Sequence, residues 1–161
     1  QKLTLHAVQH TLDFDFDKVT EQVKENPVFY VQYAFARINS VLKKAADAGI
    51  SIDASTLSKV DLAEISHASE LALVRKLGEW PRLLELAARN HEPHRIAFYL
   101  YELASELHAL WNKGNELPEL RFLQESNPQR SQGKIALISA VSVVLSAGLG
   151  ILCVTPVQEM R

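Results

Sequence analysis

Apolar residues recur every three to four positions along most of the chain after about Asp17, and no sustained alternation of period two accompanies them. That period predicts helices, and the punctuation between them predicts where they end. A first helix is expected from near Asp17 to Asn26. Pro27 suits the opening turn of a second, which runs to about Asp47 and stops at Ala48-Gly49. The stretch ISIDAST reads as a loop. Helical pieces resume from about Ser58 to Leu77, GEWP interrupts them, and Pro81 suits a fresh start. RNHEP separates that helix from a long one, Pro93 to about Lys113. KGNELPEL and ESNPQRSQG read as punctuated connections, and a last helix fills roughly Ser131 to Ala147. The expected fold is an all-α bundle of about six helices. Residues 17–161 form the helical domain, and residues 1–16 read as a linker or the remnant of a domain junction.

The second helix carries two patterns at once. Val28, Val31, Phe35, Ile38, Leu42 and Ala45 are spaced 3, 4, 3, 4, 3, an apolar stripe for the bundle interior. Tyr30, Tyr33 and Arg37 fall at i, i+3 and i+7 on a face rotated by about 120° from that stripe, and Lys44 continues the line. Two readings of this second face are open. The tyrosines could cover neighbouring helices while Arg37 pairs with a carboxylate. Alternatively the rings form a platform on which unpaired bases stack, with the guanidinium holding phosphate or stacking as well. Such a platform suits single-stranded RNA loops better than duplexes. On the long helix, Ile96, Leu100, Leu103, Leu107 and Leu110 point one way, and Trp111 sits at the edge of their stripe.

Composition narrows the picture. The chain has 161 residues, enough for one domain with a sizeable core, and a net charge of −2 from 17 basic and 19 acidic residues. Any phosphate contact must therefore come from a local patch. A single cysteine, Cys153, excludes an internal disulfide framework and a multi-cysteine zinc site, and fits a reducing, cytoplasmic setting. The segment Ile135–Val154 runs 20 residues without a charge and meets the length rule for a membrane span. Its three serines, Gly148 and Gly150, and the lack of flanking Trp or Tyr favour a central bundle helix instead.

No candidate chemistry survives close reading. His91 and His94 have H-x-x-H spacing, but Pro93 breaks any shared helix, so capping or surface roles are expected. Asp13, Asp15 and Asp17 alternate with apolar residues; a carboxylate cluster for metal or acid–base work is one reading, and a short strand-like or extended entry into the first helix, with Asp17 near its N-terminus, is the better one. There is no nucleophile elbow and no glycine-rich phosphate loop.

Three blocks carry a family resemblance: LDFDFDKVTEQVKENPVFYVQYAFARINSVLKKA, EPHRIAFYLYELASELHALWNKGN and ALISAVSVVLSAGLGILCVTPVQEMR. In this order they resemble the anticodon-binding (DALR-type) domain of bacterial arginyl-tRNA synthetases, over about residues 12–161. The resemblance implies an all-helical domain that grips the anticodon stem and loop of arginine tRNA. The parent enzyme, an arginine–tRNA ligase, would join arginine to that tRNA using ATP with Mg in a separate catalytic domain. Tyr30 and Tyr33 would pack against the loop's bases, and Arg37 would contact its backbone or a base. Trp111 and Met160 would line the pocket for the bases. Phe35 stands where the family usually carries His, and Trp111 where it carries Tyr, which trades a hydroxyl for an indole N–H. Gln32 also matches the family, but its side chain falls between the two helix faces and no role is assigned to it.

The family's HIGH-type and KMSK-type signatures are absent from this chain. The resemblance therefore implies a non-catalytic tRNA-binding portion, with no catalytic, cofactor-binding or metal residue. Residues 1–11 do not follow the family's joining segment and read as a tail or altered linker. The apolar segment becomes the closing helix of the bundle, packed on the tyrosine-bearing helix, and the chain's end lies beside the RNA. Expected partners are arginine tRNA and the catalytic domain of the same enzyme, with no membrane, in a cytoplasmic monomer. The competing reading is a helical protein–protein interaction module that binds no RNA.

Overall fold

The structure is a computed structural model in which residues 27–124 and 127–160 are described; the expected linker, first helix and aspartate run before Pro27 lie outside them. Five α-helices are present among the described residues: α1 (Pro27–Asp47), α2 (Ala54–Leu57), α3 (Ala68–Asn90), α4 (His94–Glu116) and α5 (Pro128–Ile151). A 3-10 turn, Pro118–Leu120, lies beyond α4. The all-α expectation holds.

The long helix runs on through KGNE to Glu116, and the last helix spans Pro128–Ile151 rather than Ser131–Ala147, its start capped by the Asn127 side chain, which accepts from the Arg130 amide at 3.0 Å. Three further boundaries differ from the sequence reading, each for a local reason. Within ISIDAST, the Asp53 carboxylate accepts hydrogen bonds from the Ser55 and Thr56 amides at 3.1 and 3.2 Å, and that cap nucleates the single turn of α2. The helix expected from Ser58 begins only at Ala68. Before it, the Asp61 side chain caps the Ala63 amide at 2.9 Å, and His67 with Glu70 forms a capping box that fixes the true start. GEWP does not interrupt α3, because Pro81 lies inside the helix on its exposed side. Proline there removes one hydrogen bond. Leu73, Leu77, Trp80, Leu84 and Ala87 nevertheless keep one buried or half-buried stripe in register on both sides of it, so packing outweighs the local preference.

Contacts fix the topology. The Lys113 ammonium at the end of α4 donates to the Ser69 hydroxyl at the start of α3, at 2.5 Å, and the Tyr99 hydroxyl donates to the Lys76 carbonyl at 2.7 Å. Helices α3 and α4 are thus antiparallel, joined where His91 adopts a left-handed φ of 56°. Helix α1 runs parallel to α4 and antiparallel to α5. Leu100, Leu103, Leu107 and Leu110 of α4 meet Ile38 of α1 and Ile135, Ile138, Val141 and Leu145 of α5 in one core, each 1 % exposed or less. Each such side chain contributes about 1.5–3 kcal/mol of burial. Gly148 lets α5 close on α4, since a Cβ there would stand 2.6 Å from a Leu100 methyl.

Helix α5 is long and apolar enough to cross a membrane, and half of its most apolar stretch is buried inside the bundle. It packs on the tyrosine-bearing α1, as the family resemblance implied. Its buried start holds an unusual pair. The Lys134 ammonium donates to the Glu70 carboxylate at the start of α3, with both side chains 1 % exposed.

On α1 the expected stripe is seated at Val31, Phe35, Ile38 and Ala45, with Leu42 half-buried. Val28, at the start of the helix, is 46 % exposed, and Ala34 and Val41, outside the expected stripe, are buried alongside it.

Candidate nucleic-acid interface

Two lines of side chains zip together where α1 and α4 run side by side. On α1 the line is Tyr30, Tyr33, Arg37; on α4 it is Tyr101, His108, Trp111. They meet in matching order. Tyr30 packs on Tyr101 and His108, with ring centroids at 5.0 and 4.7 Å. Tyr33 stacks on His108 at 5.4 Å. The Arg37 guanidinium lies over the Trp111 ring at 3.9 Å and over Tyr33 at 5.1 Å. Phe29 lies parallel to Tyr33 at 6.4 Å, and Phe122 tilts against Trp111 at 5.5 Å. The outcome is a ladder of π surfaces, Phe29–Tyr33–Arg37–Trp111–Phe122, laid across two helices and the segment after them.

His108 packs against that ladder from α4. Its Nδ1 lies 3.2 Å from Arg37 Nη1, and because a guanidinium only donates, Nδ1 accepts. Burial pulls the Arg37 guanidinium below its ordinary pKa, an effect opposed by the Tyr33 and Tyr30 phenols, and it remains a cation.

A groove opens on each side of Arg37. One, of about 610 Å³, is walled by Tyr33, Ala36, Arg37 and Asn39 on α1 and by Gln158, Glu159 and Met160 of the C-terminal tail. The other, of about 390 Å³, is walled by Arg37, Ser40 and Lys44 on α1, Trp111 on α4, and Arg121 and Phe122 beyond it. Lys43 joins the first wall, so four cations ring a surface on a chain of net charge −2. Tyr33, Arg37, Trp111 and Met160 therefore come together from three distant parts of the sequence. Tyr30 lines neither of these two grooves and packs instead on the His108 ring.

Sequence reasoning missed His108, Phe122, Arg121 and the role of Gln32. The spacing of Tyr101, His108 and Trp111, at i, i+7 and i+10, was the available signal for His108, since it places all three on one helix face. Gln32, which is 7 % exposed, hydrogen-bonds the tail; its Nε2 donates to the Thr155 carbonyl and its Oε1 accepts from the Val157 amide, both at 2.8 Å. His91 and His94 are both exposed, and no group of three or more potential metal ligands occurs among the described residues.

Comparison with known proteins sets this geometry in context. Residues 31–160 match the family described as the DALR anticodon binding domain. The chain is 67 % identical over 151 residues to an arginine–tRNA ligase of Cereibacter sphaeroides strain KD131, covering 94 % of this chain and 26 % of that protein. It is 63 % identical over 150 residues to the arginine–tRNA ligase of Ruegeria pomeroyi, covering 93 % and 26 %. The chain thus spans about a quarter of the length of the curated relatives it matches. The fold is similar to a crystal structure from Campylobacter jejuni provisionally described as an arginyl tRNA synthetase, with a TM-score of 0.73 at 23 % identity, covering 91 % of this chain and 29 % of that one.

Proposed function

Since the chain belongs to the DALR anticodon binding domain family, we propose that it holds the anticodon stem-loop of arginine tRNA for an arginine–tRNA ligase whose catalytic part lies outside these residues. One observation carries the reading: Arg37 stands between two grooves, with an aromatic face on either side of it. A splayed base entering one groove meets Tyr33 and Met160; a base entering the other meets Trp111. Stacking of this kind contributes about 1–3 kcal/mol per base. Arg37, Lys43, Lys44 and Arg121 supply charge for the phosphates between the bases. The activity of the whole enzyme, with its ATP and Mg, would belong to the catalytic part, and the residues here supply affinity and selection. A cytoplasmic monomer is the matching setting.

A fluorescence titration of the chain with the anticodon stem-loop of arginine tRNA tests this. Binding is expected to weaken with salt, with a slope of log affinity against log salt of about −2 to −3, as three or four single-strand phosphate contacts would give. A stem-loop of the same stem with an unrelated loop is expected to bind at least about tenfold more weakly, because only the loop bases enter the grooves. Equal affinity for both loops would overturn base recognition. No binding even at low salt would favour the helical interaction module instead.

A further inference from the structure

We infer that Gln32 is a positioning residue for the base groove, holding the C-terminal tail in place as the wall opposite Tyr33 without itself touching the RNA. The inference rests on the proposed RNA-binding role of that groove.

The chain leaves α5 at Leu152, and Cys153 takes a left-handed φ of 60° that turns the backbone out of the helix direction. The Val154 amide closes that turn on the Leu149 carbonyl at 2.9 Å. Beyond the turn the tail has neither helix nor strand, so side-chain contacts must fix it beside α1. Gln32 does so with both halves of its amide. It donates to Thr155 and accepts from Val157, the two residues flanking Pro156. A side-chain amide thus stands in for a neighbouring strand's peptide group, binding alternate residues of an extended segment. Both bonds are 2.8 Å, and the residue is 7 % exposed, so each is partly shielded from competing water.

Gln32 precedes Tyr33 in sequence, and the tail residues it holds precede Gln158, Glu159 and Met160 of the groove wall. Anchor and wall are therefore neighbours along the chain on both sides of the groove. Released from Gln32, the tail would keep its covalent attachment but lose its fixed distance from the Tyr33 ring. A groove with one loose wall still admits a base but holds it with fewer contacts.

The test is a double-variant cycle on the whole chain with Gln32→Met, which keeps length and burial but removes the donor and the acceptor, and Met160→Ala. Stem-loop affinity is expected to fall about five- to twentyfold in Gln32→Met and less in Met160→Ala. The double variant is expected to bind no more weakly than Gln32→Met alone, since a displaced Met160 has nothing left to lose. Amide hydrogen exchange supplies a readout independent of RNA: Val157 should exchange at least about tenfold faster in Gln32→Met, while Leu103 and Leu107 in the core keep their protection. Losses that multiply in the double variant, or unchanged Val157 exchange, would overturn the inference. Should the unaltered chain bind no RNA, Val157 exchange still decides the clamp, separately from the proposed function.

Discussion

Replacing Arg37 with alanine is expected to weaken stem-loop binding by roughly 30- to 100-fold, about 2–3 kcal/mol, with the bundle still folded. The magnitude comes from position. Arg37 is the one side chain shared by both grooves that also stacks on rings, its guanidinium bridging Tyr33 and Trp111. Alanine removes the flat cation on which the ladder closes, and with it the proposed phosphate contact, and it leaves His108 Nδ1 without its Arg37 donor. Arg37→Lys separates charge from shape. Lysine restores the charge, so the salt slope should return to the unaltered value. It cannot lie flat on the Trp111 ring or present two parallel donors, so most of the affinity should stay lost. Full rescue by lysine in the same titration would mean that Arg37 acts only as a point charge and that the stacked arrangement is incidental to binding.

Glu70→Gln and Lys134→Met are each expected to destabilise the bundle by about 3–5 kcal/mol, a large part of a typical total of about 5–15. Lys134 and Glu70 lie at the starts of α5 and α3, each 1 % exposed, so neither charge has water to fall back on. Glu70 does double duty: one oxygen receives the Lys134 ammonium and the other accepts the His67 amide at 3.1 Å. Glu70→Gln keeps the cap geometry and strands the ammonium, while Lys134→Met strands the carboxylate. The double variant Glu70→Gln/Lys134→Met buries no net charge and is expected to recover most of the loss. Urea denaturation midpoints at constant slope provide the measurement. Additive losses in the double variant would show that the two groups are not coupled across the helix starts.

Much of this was legible in sequence where a single helix carried the whole pattern. Val31, Phe35 and Ile38 reached the core as their spacing required, and the Tyr33–Arg37 line emerged on its own face. Pro81 misled because its cost is local while the stripe from Leu73 to Ala87 stabilises over the full length of α3. His108 was hidden for a different reason. A lone histidine between leucines reads as a core residue, and only the parallel pairing of α1 with α4, which no local period encodes, brings it under Tyr33 and Arg37. Gln32 was harder still, since its partners lie 123 and 125 residues away. The convergence of Met160 with Tyr33 was carried by family resemblance, not by any spacing within the chain.

The most direct check on base stacking uses a stem-loop in which one unpaired anticodon base is replaced by 2-aminopurine, a fluorescent base whose emission responds to the ring it stacks on. Emission is measured at saturation with the unaltered chain and with Tyr33→Ala. If a loop base rests on the Tyr33 ring, emission at saturation should differ clearly between the two proteins for at least one anticodon position. Identical emission at every position, with both proteins fully bound, would contradict the account.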